Sequence, residues 1–150
     1  MKDCCAGYFD SPIGDIWLLA DKDYLYKLSF EKLNEPYGKN SIIDLTILQL
    51  KEYFFGDRRS FDIPIKTNGT IFQESIWKAL RKIDYGKTIS YEGLAILSKN
   101  SSATRATANA CGKNPIPIII PCHRVIRKNG DIGGFSSGIS LKKKLLLLES

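Results

Sequence analysis

The segment from Ile118 to Val125, which reads Ile-Ile-Ile-Pro-Cys-His-Arg-Val, constrains the fold of this chain more than any other stretch. An apolar run of β-branched residues is typical of a fully buried strand. The proline at position 121 restricts the residue before it, Ile120, to an extended conformation. The segment therefore predicts a buried strand that holds Cys122 at the end of a rigid, dry support.

His123, the single histidine of the chain, follows Cys122 directly. Neighbouring side chains of an extended strand point to opposite faces, so these two can cooperate only if the backbone bends here or a water molecule bridges them. A free cysteine after an isoleucine run is most often a small buried hydrophobe, and a nearby histidine is most often structural. The pair by itself leaves a catalytic and a structural role open.

Composition places the chain among ordinary soluble globular proteins. Its 150 residues, 43% hydrophobic and 25% charged, suffice for one good core or two small ones. The N-terminus is acidic, and no apolar run is long enough to span a bilayer, so we expect a cytoplasmic protein, or a nuclear one if eukaryotic. The cysteines at 4, 5, 111 and 122 lack Cys-x-x-Cys spacing and include an adjacent pair, which predicts reduced thiols, no zinc site and no other metal.

Positive charge is concentrated in the second half of the chain. Residues 72–150 contain 13 of the 22 basic residues but only 5 of the 16 acidic ones, a net charge of +8, whereas residues 1–71 carry −2. A basic field of this kind favours a polyanionic partner such as nucleic acid.

The first half reads as a small α/β domain over residues 1–66. Alternating apolar residues and turn signals predict an antiparallel meander over residues 6–30. A helix capped by Ser41 and ending at Gly56 follows, and alternation at Phe61, Ile63 and Ile65 predicts one edge strand. A linker is expected near residues 66–69.

The second half, residues 67–150, reads as mostly helical. Thr70 and Gln73 form a capping-box pattern for a helix that stops at Gly86. Ser90 caps a second, short helix, and Ser102 caps a third from Ala103 to about Cys111. Helix, short turn and helix is the pattern of a helix-turn-helix, which many helical proteins also contain.

A last helix is predicted to begin at Ser140 and to close at Glu149. Its residues 142–144 are expected to be exposed lysines, and residues 145–148 to be largely buried leucines. From the residues alone, Glu149 is an ordinary surface charge at a frayed helix end.

The third helix has one face almost free of bulk, because Ala103, Ala106 and Ala110 share it with Thr107. An α-helix is about 10–12 Å across and the minor groove of B-DNA about 6 Å wide, so only a slim helix can press into a widened minor groove. The same alanines would also let the helix pack closely in a core. Composition leaves both readings open, and it leaves Arg105 as an ordinary solvated charge.

A set of motifs nevertheless points to one family. The segment Pro121 to Val125 resembles the active-site signature of the O6-alkylguanine-DNA alkyltransferases, also called methylated-DNA-protein-cysteine methyltransferases. The resemblance covers most of residues 72–149. Its further matches are Phe72-Gln73, Trp77, Ala79-Leu80, Tyr85-Gly86, Ser90-Tyr91, Leu94-Ala95, Arg105-Ala106 and Asn114-Pro115.

The resemblance implies an α/β (α+β) fold with an N-terminal RNase H-like domain, a small sheet with a helix. The C-terminal domain is implied to be helical and winged-helix-like, with the helix-turn-helix and Cys122. The implied function is direct-reversal DNA repair: a monomer binds double-stranded DNA containing O6-alkylguanine, flips out the base and accepts the alkyl group irreversibly on Cys122. O4-alkylthymine is a possible second substrate, and no cofactor is needed.

The resemblance also implies roles for single residues. Cys122 is the acceptor, His123 takes its proton through a water molecule, and Glu149 orients the imidazole. Arg105 fills the gap left by the flipped nucleotide, while Tyr91 promotes rotation of its phosphate and donates to guanine N3. The other implied positions are Asn114 for catalysis, Ser90, Ala103, Thr104, Ala106 and Thr107 for DNA contact, and Val125, Phe135, Ser136, Ser137 and Lys142 for the substrate pocket.

One departure from the family pattern is Phe135, where the family usually has tyrosine. The ring can still line the pocket, but any hydrogen bond from that hydroxyl is absent. Two other functions stay open: a lesion-binding protein without transfer, against which Cys122 argues, and a Cys-His-Glu thiol hydrolase, which would turn over many times without DNA.

Overall fold

The computed structural model describes residues 3–150. The chain divides into two compact units, Met1–Thr67 and Asn68–Ser150. Each has its own core, and both combine helices with short strands.

The first unit contains the predicted antiparallel meander. Strands β1 (Cys5–Ser11), β2 (Gly14–Ala20) and β3 (Leu25–Ser29) form one sheet in the order β1-β2-β3. The register of the first pair runs from Cys5 opposite Ala20 to Ser11 opposite Gly14. Helix α1 (Ser41–Phe54) packs on β1 and β2, and this prediction of sheet and helix is confirmed.

Two details of this unit differ from the prediction. The cap of α1 is Asn40 and not Ser41, because the Asn40 backbone is extended and its Oδ1 accepts a hydrogen bond from the Ile43 amide at 2.9 Å. The predicted edge strand is reduced to one isolated bridge between Leu25 and Ile65. Pro64 has no amide hydrogen to donate, so a longer ladder cannot form through it.

The second unit contains helices α2 (Ile71–Leu80), α3 (Tyr91–Leu97), α4 (Thr104–Gly112) and α5 (Ile139–Leu148). The capping box of Thr70 with Gln73 is confirmed, as is the cap by Ser90, whose Oγ accepts from the Gly93 amide at 2.9 Å. Helix α2 ends before Gly86, at Leu80, and turns follow it. The predicted cap by Ser102 is wrong, because Ala103 occupies the cap position and makes no side-chain hydrogen bond.

Helices α3 and α4 pack against each other and against α2, which gives the predicted helix-turn-helix. The indole Nε1 of Trp77 donates to the Ala110 carbonyl at 2.9 Å and so ties α2 to α4. Beside the helices, β4 (Ile89–Ser90) pairs in parallel with β5 (Val125–Ile126). The α/β fold class is confirmed.

The predicted buried strand before Cys122 is wrong in conformation but right in burial. Ile118 has a positive φ of 74°, a value that a β-branched residue rarely adopts, and the run forms turns that the Ile120 amide closes on the Ile116 carbonyl at 2.9 Å. All three isoleucines are buried, and a fully buried isoleucine contributes about 1.5–3 kcal/mol. Apolar composition therefore indicated burial without determining backbone shape.

Helix α5 departs from its prediction in three places. Gly138, with a φ of 110°, precedes the first turn where Ser140 was expected as the cap. Lys142 is fully buried, whereas the prediction left it exposed, and Leu147 is 76% exposed, whereas the prediction buried it. Among residues 3–150, no helix is long and apolar enough to cross a bilayer.

Candidate active site

The backbone bends at Cys122, which is one of the two ways in which adjacent cysteine and histidine side chains could act together. Cys122–Arg124 form a short 3₁₀ helix that the Arg124 amide closes on the Pro121 carbonyl at 3.1 Å. A 3₁₀ helix has three residues per turn, so successive side chains no longer point to opposite faces. All three side chains are buried.

Asn114 joins the end of α4 to the segment before Cys122. Its Nδ2 donates to the Ile120 carbonyl at 2.7 Å, and its Oδ1 accepts from the Ile116 amide at 2.9 Å. These two bonds satisfy backbone groups in the turns between α4 and Cys122. They support the segment before Cys122 from the side of the helix-turn-helix.

Glu149 lies behind His123 and is buried, so it is not a frayed surface charge. Its Oε2 lies 2.7 Å from His123 Nε2. The guanidinium of Arg124 donates to the same carboxylate, from Nε to Oε1 at 2.8 Å and from Nη2 to Oε2 at 3.0 Å. Such a two-pronged, charge-assisted pair favours the ionised carboxylate.

The protonation state of His123 follows from these contacts. An ionised carboxylate can only accept, so the proton on the imidazole lies on Nε2 and Nδ1 is the basic nitrogen. Burial lowers the pKa of His123, and the hydrogen bond that Nε2 donates to Glu149 only partly offsets that effect. Nδ1 is buried and has no hydrogen-bonding partner within residues 3–150. A neutral histidine with a free basic nitrogen can take a proton.

Arg124 is a site residue that the sequence analysis missed. Its Nη1 donates to the Ile83 carbonyl at 2.6 Å, and its guanidinium lies 5.8 Å from the centre of the Tyr85 ring. The sequence contained the indication for this role, because an arginine within an apolar segment is buried only if it has an acidic partner.

The Cys122 thiol is nearly inaccessible. Burial raises its pKa to about 11, while the Asn114 side chain and the Lys142 charge act in the opposite direction. A thiol with so high a pKa is a weak nucleophile until a base removes its proton.

Cys122 opens onto a cavity of about 990 Å³ in the second unit. The lining includes Tyr91, Arg105, Cys111, Phe135 and Ser136. Cys111, which the sequence analysis did not assign to the site, is a second buried thiol, and burial raises its pKa to about 12. The cavity thus combines two buried thiols, aromatic rings and a cationic rim.

The positions predicted for DNA contact differ in exposure. Arg105 and Ala106 are exposed on α4, and Ser90, Ala103 and Thr104 are half-buried near it. Thr107 is fully buried, and we withdraw it, because a side chain without exposed surface cannot reach a phosphate or a base.

The positions predicted for the substrate pocket fall into two groups, those that line the cavity and those that do not. Phe135 and Ser136 line the cavity, whereas Val125, Ser137 and Lys142 lie outside its lining. Val125 and Lys142 are fully buried, and the Val125 carbonyl accepts a hydrogen bond from Lys142 Nζ at 2.6 Å. Lys142 is therefore withdrawn as a direct contact of the substrate, because its ammonium group faces backbone carbonyls.

Family models match both units. The model described as 6-O-methylguanine DNA methyltransferase, ribonuclease-like domain, matches residues 5–67, and the model of the DNA binding domain of the same family matches residues 71–150.

Individual relatives match over nearly the whole chain. A methylated-DNA–protein-cysteine methyltransferase of Haemophilus influenzae is 40% identical over 95% of this chain and 84% of its own. The protein of that name from Methanosarcina mazei is 46% identical over 93% of this chain and 92% of its own.

Solved structures agree with these matches. The Mycobacterium tuberculosis O6-methylguanine methyltransferase superposes with a TM-score of 0.89 at 38% identity, covering 97% of this chain and 92% of that one. A structure of the Mycobacterium tuberculosis protein in complex with DNA matches with a TM-score of 0.89 at 37% identity, covering 96% and 91%.

Proposed function

The chain belongs to the 6-O-methylguanine DNA methyltransferase family, and from this membership we propose that it repairs O6-alkylguanine in double-stranded DNA by moving the alkyl group irreversibly to Cys122. Its activity is that of a methylated-DNA–protein-cysteine methyltransferase, which binds DNA and transfers an alkyl group to a cysteine. The observation that carries the proposal is the buried pair of His123 and Glu149, which lies next to Cys122 in the turn after Pro121.

In the proposed reaction, His123 Nδ1 takes the thiol proton through a water molecule, and the Cys122 sulfur attacks the alkyl carbon on guanine O6. The bond from sulfur to carbon forms as the bond from carbon to O6 breaks. Negative charge develops on the leaving guanine, and the Tyr91 hydroxyl donates to N3 to stabilise it. The proton lost by Cys122 ends on guanine, so the products are a thioether and the unmodified base.

Glu149 has a specific part in this step. When His123 becomes a cation, the carboxylate 2.7 Å from Nε2 stabilises the new charge and holds the ring in one orientation. Because burial raises the pKa of Cys122 to about 11, almost no thiolate exists at neutral pH until a base takes the thiol proton.

The target atom is inaccessible within a duplex, so the base must leave the stack at a cost of a few kcal/mol. We assign the compensation to α4, whose exposed Arg105 at the cavity rim would fill the vacated position while Ala106 allows close approach to the minor groove. Ser90, Ala103 and Thr104 would contact the backbone beside it. The positive charge of residues 72–150 supports binding to phosphates.

Phe135 and Ser136 would wall the base pocket, and a cavity of about 990 Å³ is large enough for a purine. The protein would act as a monomer on DNA, with residues 1–66 as an RNase H-like domain and residues 67–150 as the domain that binds DNA and accepts the alkyl group. The free thiols at 4, 5, 111 and 122 fit a reducing compartment, and we propose the cytoplasm.

The test is intact-protein mass spectrometry after mixing wild type and Cys122→Ser with an excess of duplex DNA containing O6-methylguanine. We expect one added methyl on the wild type alone, mapped to Cys122 and saturating at one per chain. Tight lesion binding without added mass would make the protein a recognition module. Repeated turnover of a thioester without DNA would instead favour a thiol hydrolase.

A further inference from the structure

Lys142 is fully buried on α5, a rare position for a lysine. Its Nζ donates to the Val125 carbonyl at 2.6 Å and to the Gly134 carbonyl at 3.0 Å. It also lies 5.8 Å from the centre of the Tyr91 ring. The side chain thus reaches three separate parts of the acceptor site.

The two carbonyl groups that accept hydrogen bonds from Lys142 belong to different segments of the site. Val125 comes three residues after Cys122 and begins β5, whereas Gly134 immediately precedes Phe135, which lines the cavity. The Gly134 segment has no regular secondary structure, so few backbone bonds hold it in place. A single ammonium group that binds both carbonyls fixes the distance between them.

The charge of Lys142 lacks an acidic partner. Over residues 3–150, no carboxylate lies within ion-pair distance of its Nζ. Two carbonyl oxygens accept hydrogen bonds from the ammonium group, but they carry no net negative charge. Burying such a cation is costly, and a nearby group that can become an anion would offset more of the cost than the two carbonyl dipoles do.

Five titratable or charged groups face this ammonium. They are Cys122 and His123 from the 3₁₀ helix, Cys111 from α4, Tyr91 from α3 and Arg127 after β5. Arg127 is a cation, and His123 becomes one only when it takes the thiol proton. Cys122, Cys111 and Tyr91 can become anions, and of these three the proposed reaction ionises only Cys122. The positive charge of Lys142 acts to lower the pKa of Cys122, against the effect of burial.

We propose that Lys142 is a positioning residue of the acceptor site, which ties the glycine-rich wall to the segment after Cys122 and holds a fixed positive charge toward the thiolate. The role rests on the proposed function only in naming Cys122 the acceptor. Thiol reactivity can be measured without DNA, so failure of this inference is distinguishable from failure of the repair assignment.

The experiment compares Lys142→Met, Lys142→Arg and Lys143→Met, the last being an exposed lysine next on the same helix. The rate of Cys122 labelling by iodoacetamide is followed from pH 6 to 10, with the label mapped by peptide mass spectrometry. We expect the Lys142→Met profile to move to higher pH, with labelling at pH 7.5 reduced about 10-fold, as a shift of one pKa unit requires. Lys142→Arg and Lys143→Met should keep the wild-type profile.

Hydrogen exchange tests whether Lys142 holds the glycine-rich segment, residues 133–138, in place. Amides of residues 133–138 should exchange about 10-fold faster in Lys142→Met than in Lys143→Met, because local opening no longer breaks the bond from Nζ to the Gly134 carbonyl. An unshifted pH profile in folded Lys142→Met, or equal exchange in the two methionine variants, would overturn the proposal.

A second experiment does not substitute Lys142, so it tests the proposal even if Lys142→Met does not fold. The Lys142 side chain is titrated by ¹³C NMR in wild type and in Cys122→Ser. Coupling between the two groups is reciprocal, so the ammonium should lose its proton at lower pH in Cys122→Ser, where no thiolate forms. Identical titration curves would contradict the proposal.

Discussion

The Oε2 atom of Glu149 lies 2.7 Å from Nε2 of His123, and neither side chain has appreciable contact with solvent. The same carboxylate accepts two hydrogen bonds from Arg124. One buried anion therefore orients the proposed base and neutralises a buried cation. Chemistry and stability depend on the same group.

Glu149→Gln tests this double role. An amide cannot stabilise the imidazolium, so we expect the single-turnover rate of transfer to fall on the order of 10²- to 10⁴-fold. The variant also leaves the Arg124 charge without a buried counter-charge, which should cost about 3–5 kcal/mol of unfolding free energy. Rapid-quench transfer assays and urea denaturation measure the two effects.

The matched control is Glu52→Gln. Its carboxylate pairs with Arg58 at 3.0 Å, but the two side chains are 40% and 28% exposed. A solvent-exposed pair contributes about 0–1 kcal/mol, so transfer should be unchanged and the loss of stability small. Wild-type transfer by folded Glu149→Gln would refute the assigned role.

Stability should fall on both sides of neutral pH. Burial lowers the pKa of His123 from 6.5, so below pH 6.5 the unfolded chain binds a proton that the folded chain does not, and acidification favours unfolding. The pKa of Cys122 is raised from 9.0 to about 11, so the unfolded thiol ionises first between these values and stability falls as pH rises. One such proton gives at most about 1.4 kcal/mol per pH unit.

Urea unfolding from pH 5 to 11 measures both slopes. Cys122→Ser should reduce the alkaline slope, because its hydroxyl does not titrate in this range. Cys5→Ser, a partly exposed thiol of the first unit, serves as the control and should leave the slope in place. An alkaline slope that is equal in wild type and Cys122→Ser would show that Cys122 is not the titrating group.

Arg105→Ala tests the proposed role of α4 in base flipping. If this side chain fills the vacated position as proposed, its loss should slow transfer from duplex DNA about 10- to 100-fold, which corresponds to about 1–3 kcal/mol. Labelling of Cys122 by iodoacetamide should not change, because Arg105 is exposed at the rim and not behind the thiol. Arg81→Ala, an exposed arginine after α2, is the control. Equal repair by Arg105→Ala and wild type would eliminate the role.

Alanine substitutions at two glycines distinguish the effect of contact with Tyr91 from the effect of backbone strain. Gly133 and Gly130 have positive φ values of 76° and 91°, so alanine at either costs about 1–2 kcal/mol. Only at Gly133 does an added Cβ lie 3.1 Å from the Tyr91 hydroxyl; at Gly130 it meets nothing within 4 Å. We expect Gly133→Ala to slow transfer about 10-fold or more at saturating DNA, and Gly130→Ala to leave the rate unchanged. Similar rates in the two variants would mean that the position of the hydroxyl does not matter.

Local signals predicted much of the fold. The meander, the capping box at Thr70, the cap at Ser90 and the helix-turn-helix each depend on residues within a few positions of one another, and each is confirmed. The errors arose where distant parts of the chain compete with local preference. Ile118 adopts a positive φ although its side chain prefers an extended strand, and burial among other core residues accompanies that conformation.

The sequence by itself determined which atoms are available for chemistry: one histidine, a cysteine held after a proline, and a basic second half. Only the tertiary structure decided how they are used. It placed the carboxylate of residue 149 against residues 123 and 124, and it buried Lys142 between two carbonyls. Spacing along a chain sets which groups share a helix face or a strand. The protonation state of a buried group depends on which distant charges folding brings within a few ångströms.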